Sequence, residues 1–224
     1  MSRATSPARR LFRSPPRAEL GTRLPRLVAG LLCCGAGVAS MVRAGLGLGP
    51  WEVLHQGLAG RAGLTIGTVS ILVAFVVLVG WIPLRQPLGI GTIANAVLIG
   101  LTTNAVLAWT ESPAHVALRV VALLGGILLL GFGSGLYIGA GLGPGPRDGL
   151  MTGIATRSAG RFSIRLVRTG IELAALALGW VLGGTVGVGT LLFALSIGPL
   201  VQFFLDELSI PVRIDQPELA GPAE

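Results

Sequence analysis

The chain has 224 residues, of which 52% are hydrophobic and 35 are Gly, while only 12% are charged. Its mean hydropathy is +0.78. A soluble domain carries about 25% charged residues and about 7% Gly, so a water-soluble globule is excluded, and the apolar content excludes disorder for the bulk of the chain. All the basic residues behind the net charge of +7 are Arg. They flank apolar runs instead of forming one basic face. That is the mark of the positive-inside bias, and it argues against nucleic acid as a partner.

In chain order, residues 1–24 are rich in Arg, Pro and Ser and lack apolar periodicity, which predicts a disordered cytoplasmic tail. Apolar runs follow at 27–42, 65–82, 88–109, 119–138, 163–182 and 187–205. Each is near the roughly 20 residues that cross about 30 Å of hydrocarbon. The expected fold is an all-α polytopic membrane protein with six transmembrane helices. Trp51, Trp81, Trp109 and Trp180 fall at or near run ends, where an interfacial belt would place them. Cys33 and Cys34 are adjacent inside the first run, which is neither a disulfide framework nor a metal spacing, and no cofactor or metal is expected. Residues 206–224 are acidic and contain Pro, which predicts a mobile tail. With the N-terminus inside, the inner segments 1–26, 83–87, 139–162 and the C-terminal tail hold twelve Arg, against two or three outside. This puts both termini in the cytoplasm.

The chain is also self-similar. Residues 35–57, GAGVASMVRAGLGLGPWEVLHQG, overlie 131–153, GFGSGLYIGAGLGPGPRDGLMTG, at an offset of 96, with ten of 23 positions identical and Glu52 over Asp148. LGIGT at 88–92 overlies VGVGT at 186–190 at an offset of 98, and Trp81 pairs with Trp180. The halves are residues 25–112 and 117–205. The first run has a counterpart at 119–138, so it reads as a span and not as a cleaved signal peptide. Three spans per half is an odd number, so the second half enters from the opposite side, giving a 3+3 inverted repeat of the kind secondary transporters use.

Between the first and second spans of each half lies GLGLGPWE (45–52) or GLGPGPRD (141–148). Alternating Gly disfavours helix by about 1 kcal/mol each, and Pro suits the first turn of a new one. A carboxylate two residues on complements the positive helix end. Each half is thus expected to hold a Gly-rich broken or re-entrant segment, with short helices near 50–60 and 146–157. Unwound backbone at membrane depth must be buried in protein or line a cavity. The candidate site residues are therefore Glu52, Asp148 and Arg147, with Gly49, Pro50, Gly145 and Pro146 at the helix starts. Glu52 and Asp148 would hold a cation, a proton or a substrate amine, and Arg147 with the turn amides would meet an anionic group. A simple interfacial loop with capping carboxylates is the plainer alternative. Thr92 and Thr190 sit in the matched GT elements, with Asn95 one turn on, where they line the interface between halves or permit close packing. Arg168 and Glu172 are four apart inside the fifth span, a neutralising pair or a substrate contact. His55 has Met151 as its counterpart and reads as an interfacial residue.

The stretches AGLGLGPWEVLHQGLA (44–59), GAGLGPGPRDGLMTGIATR (139–157) and GGTVGVGTLLFALSIGPL (183–200) resemble the YczE/YitT-type family of bacterial integral membrane proteins, over roughly residues 27–205. The resemblance implies a multi-span inner-membrane protein and brings no catalytic residues. The residues themselves give the functional expectation. It is a small-molecule or ion permease with its site between the halves, not an enzyme. The alternative is a non-transporting membrane subunit that stabilises or regulates a partner. Expected partners are the lipid bilayer, a small-molecule or ion substrate, and a second copy or membrane partner.

Overall fold

The computed structural model describes residues 19–158 and 161–210. Among these, the chain forms eight α-helices: α1 (Leu20–Ala44), α2 (Pro50–Ala62), α3 (Ile66–Leu84), α4 (Ile90–Trp109), α5 (Val116–Gly139), α6 (Pro146–Arg157), α7 (Ile164–Val181) and α8 (Val188–Leu208). Five of them, α1, α3, α4, α5 and α8, are long and apolar enough to cross a membrane. The expected fifth span, α7, falls outside that set because Arg165, Arg168 and Glu172 interrupt its apolar sequence.

The centre of the fold is the crossing of α1 and α5. A Cβ on Gly30 would lie 2.6 Å from Gly133 O, and one on Gly133 would lie 2.5 Å from Gly30 O. The pair Gly37 and Gly126 does the same, at 2.7 and 2.8 Å. From the first pair to the second, the α1 position rises by seven (37−30) and the α5 position falls by seven (133−126), so the two helices run antiparallel. Backbone contact at this range needs glycine on both sides. Around the crossing, Leu27, Leu31 and Cys34 pack with Tyr137 and Leu142, while Val38 and Met41 pack with Leu123, Ile127 and Leu130.

Outer helices attach in matched fashion. Gly35 of α1 packs on Thr102 of α4, and Gly131 of α5 packs on Leu200 of α8. Each short helix lies on a helix of the other half: Gly57 of α2 on Gly179 of α7, and Gly149 of α6 on Trp81 of α3. The turns before the short helices are matched too. Gly45 and Gly141 take φ of 62° and 65°, and Gly47 and Gly143 take 117° and 130°. Side-chain-bearing residues rarely adopt these values, which explains the glycine alternation.

Both helix starts expected at Pro50 and Pro146 are found there. The N-terminal boundary needs correction. Helix α1 begins at Leu20, inside the stretch expected to be a tail. Arg23 is only 1% exposed. Its Nε and Nη2 donate to Glu19 at 2.9 and 2.7 Å, and its Nη1 donates to Ala140 O at 2.8 Å, satisfying the end of α5. Arg26 Nη1 donates to Leu208 O at 2.9 Å, so the end of α8 lies beside the start of α1. At the far end of α1, Arg43 donates to Leu107 O of α4. Helix α8 likewise continues to Leu208, past the expected start of the C-terminal tail at 206. The rest of both expected tails, 1–18 and 211–224, lies outside the described residues.

Adjacent glycines of α5 test the crossing. A Cβ on Gly126 would meet backbone, whereas one on Gly125 would meet open space. Gly126→Ala is expected to lower stability by about 1–3 kcal/mol through overpacking, while Gly125→Ala is neutral or stabilising. Thermal unfolding of the two variants in detergent reads the difference.

Candidate functional site

The matched turns place the site. Each turn hydrogen-bonds to the start of an outer helix in the other half. Gly91 N–H donates to Leu142 O at 2.9 Å, and Gly189 N–H donates to Leu46 O at 2.8 Å. Thr92 and Thr190 are buried at these junctions. Thr92 Oγ1 donates to Pro144 O at 2.8 Å, and Thr190 Oγ1 accepts from Gly187 N–H at 3.2 Å. The junctions bring the first turns of α2 and α6 toward one another.

Between them lies a cavity of ≈ 60 Å³. It is lined by Trp51, Glu52 and His55 of α2, Ser70 and Val77 of α3, Asn95 and Ile99 of α4, and Pro146 and Arg147 of α6. That volume takes a few water molecules or one small ligand. Arg147 Nη1 stands 3.7 Å from Glu52 Oε1, a charge contact beyond hydrogen-bond range. Glu52 is 5% exposed, and its Oε2 has no hydrogen-bond partner. That oxygen turns back over its own helix start, where a Cβ on Gly49 would come within 2.5 Å of it. Trp51 Nε1 is also buried without an acceptor.

Asp148, the counterpart of Glu52, has different surroundings. Tyr137 donates its hydroxyl to Asp148 Oδ2 at 3.3 Å. A Cβ on Gly145 would lie 3.1 Å from Asp148 Oδ2, 3.2 Å from the Tyr137 hydroxyl and 3.4 Å from Asn95 Nδ2. Asp148, Tyr137 and Asn95 therefore form a polar patch, joined to the cavity through Asn95.

Of the expected site residues, Glu52, Arg147, Asn95 and Pro146 share the cavity. Gly49, Pro50 and Gly145 form the helix starts beside it, and Asp148 lies just behind Asn95. Thr92 and Thr190 hold the junctions. Arg168 and Glu172 are elsewhere: they pair with each other at 3.0 Å on the outward side of α7, with side chains 55% and 36% exposed. His55, expected at an interface, is buried on the cavity wall, with its ring centroid 6.4 Å from that of Trp51. Sequence reasoning missed Tyr137, although it is the one Tyr in the chain and sits alone in an apolar run. It also missed Trp51 and Ser70, which carry no signal beyond their residue type.

The eight helices, five of them fit to cross a membrane, define a helical integral membrane protein. Residues 21–206 match a family of unknown function, DUF6198, and the chain belongs to that family. It is 44% identical over 180 residues to an uncharacterized protein of Haemophilus influenzae, covering 80% of this chain and 82% of the relative. It is 34% identical over 194 residues to the uncharacterized membrane protein YczE of Bacillus subtilis, covering 85% and 89%. A third relative, the uncharacterized protein YyaS of Bacillus subtilis, is 25% identical over 181 residues. The YczE-type resemblance carried by the turn motifs is thereby upheld. No solved structure matches the chain.

The two matched tryptophans separate a structural contact from a surface one. Trp81 is 2% exposed, covers Gly149, and donates from Nε1 to Pro146 O at 2.9 Å; Trp180 is 67% exposed. Trp81→Phe removes that buried hydrogen bond and part of the ring over Gly149 and should cost about 1 kcal/mol, while Trp180→Phe should leave the melting temperature unchanged. Equal shifts for the two would contradict the placement of α6 on α3.

Proposed function

We propose that the chain is a small-molecule or ion permease of the cell membrane, with its binding site in the cavity around Glu52 and Arg147. The observation that carries this reading is Glu52 itself. It is a buried carboxylate with one oxygen unpartnered, at the wall of a cavity built from both halves. Ionisable groups at membrane depth are rare, and they mark substrate or ion pathways.

In this reading the protein has six spans in a 3+3 inverted repeat, with both termini cytoplasmic. The antiparallel crossing of the matched helices α1 and α5 supports the inversion, as does the reciprocal exchange of turns between halves. The sixth span is α7, whose 18 residues reach about 27 Å. Arg165 and Arg168, near its start, extend to the cytoplasmic surface, and Glu172 is neutralised by Arg168. Short helices that start at unwound glycines, meeting at the junction of two repeats, make a typical transporter site. A second reading is a non-transporting subunit that stabilises a membrane partner. It is favoured by the outward Arg168–Glu172 pair, which suits a protein neighbour better than lipid.

Alternating access tests the first reading without knowledge of the substrate. A single Asn95→Cys is introduced after Cys33→Ala and Cys34→Ala, and membrane-impermeant maleimide is applied to vesicles of each orientation. A permease is expected to label from both sides. Labelling from one side only, or from neither, would overturn the permease and leave the subunit reading.

A further inference from the structure

The transport reading leaves the ligand's chemistry open, and the cavity constrains it. The described charged groups at and just behind its wall are two carboxylates, Glu52 and Asp148, and one guanidinium, Arg147. The cluster is thus one negative charge in excess. Arg147 does not close on Glu52: the 3.7 Å separation leaves Oε1 without a hydrogen bond, and Oε2 has no donor at all. A buried carboxylate in this state has a nearby charge but lacks N–H donors. Nε1 of Trp51, another residue of the cavity wall, is also buried without an acceptor and lacks an oxygen. Trp51 and His55 share the cavity wall with Glu52, and a Trp face attracts a cation. Val77 and Ile99 offer apolar surface to a short alkyl chain.

Other cation types fit less well. Among the described residues, no three His, Cys, Asp or Glu side chains come together as a metal cage. An anion would face the excess negative charge. A quaternary ammonium has charge but no N–H for Oε2.

From these features we infer that the cavity binds a small protonated amine bearing a hydroxyl, with its ammonium on Glu52 Oε2 and its oxygen on Trp51 Nε1. This deepens the transport reading and rests on it for the site's location. Ethanolamine is the simplest probe of this chemistry, and the ≈ 60 Å³ of the cavity suits a ligand of a few non-hydrogen atoms.

The test is calorimetric titration of the full chain in lipid nanodiscs with the chloride salts of ethanolammonium, ethylammonium, tetramethylammonium and potassium, and with sodium acetate. Ethanolammonium is expected to bind saturably and most tightly, ethylammonium more weakly, and the other three not measurably. Glu52→Gln, checked for a monodisperse peak, should weaken ethanolammonium by about tenfold to a hundredfold, the worth of a charge-assisted bond. Glu172→Gln, on the outward face, should not weaken it. Saturable acetate binding, potassium as tight as ethanolammonium, or no amine binding would overturn the inference, and the wild-type series alone decides these. Equal affinity for ethylammonium would remove the oxygen's role. Failure here is distinguishable from failure of the transport reading. Two-sided Asn95→Cys labelling without amine binding sinks only the ligand class. Glu52-dependent amine binding with one-sided labelling sinks only the permease.

Discussion

Two backbone hydrogen bonds govern this structure, from Gly91 N–H to Leu142 O and from Gly189 N–H to Leu46 O. Each half of the chain breaks its helix at a glycine turn, which leaves peptide groups without helical partners. Water inside a bilayer cannot satisfy them. The chain answers by exchange: the turn of one half is satisfied by the helix start of the other. Neither half could complete its own hydrogen bonding alone. The same exchange fixes where Pro50 and Pro146 begin their helices, and so where Glu52 and Arg147 meet.

The frame repeats and the site does not. Glycines that need left-handed backbone, or contact with a facing carbonyl, recur in both halves: Gly45 with Gly141, Gly47 with Gly143, Gly30 with Gly126, Gly37 with Gly133. Side chains around the two carboxylates diverge. Asp148 faces Tyr137 and Asn95. The corresponding positions in the other half, by the offsets of 96 and 98, are Met41 and Phe193. The Phe193 ring accordingly packs against Gly49, beside Glu52. Trp81 is buried over α6, while Trp180 looks outward. A matched backbone thus carries one polar patch and one apolar-backed carboxylate, and the cavity lies between α2, α3, α4 and α6.

Glycine and proline made much of this legible from sequence. They report backbone conformation directly, so the turns and the short helices could be read to within a few residues. The repeat put Glu52 and Arg147 at helix starts expected to meet, but it did not pair them with each other. What escaped depends on distant partners. Helix α1 extends back to Leu20 because Arg23 finds Ala140 O, 117 positions along the chain. His55 and Tyr137 are buried by helices that no local pattern names. Arg168 and Glu172 were correctly spaced for one helical face, but spacing does not say which face points outward.

The energetics of Glu52 bear on its role. A buried group that loses its hydrogen-bond partner costs about 1–3 kcal/mol, more when charged, against a total folding stability of about 5–15 kcal/mol. Gln at this position would shed the charge, and Leu would add to the surrounding apolar contact. Arg147 relieves part of the penalty through its charge, yet it stands too far away to donate a hydrogen bond and is itself 36% exposed. Closing that gap would need only a small approach of α6 toward α2. Yet the backbone contacts hold both helices where they are: Gly57 lies against Gly179 O on one side, and Gly149 lies against the Trp81 ring on the other. The frame fixes where α2 and α6 lie, and in this arrangement Arg147 meets Glu52 through charge alone.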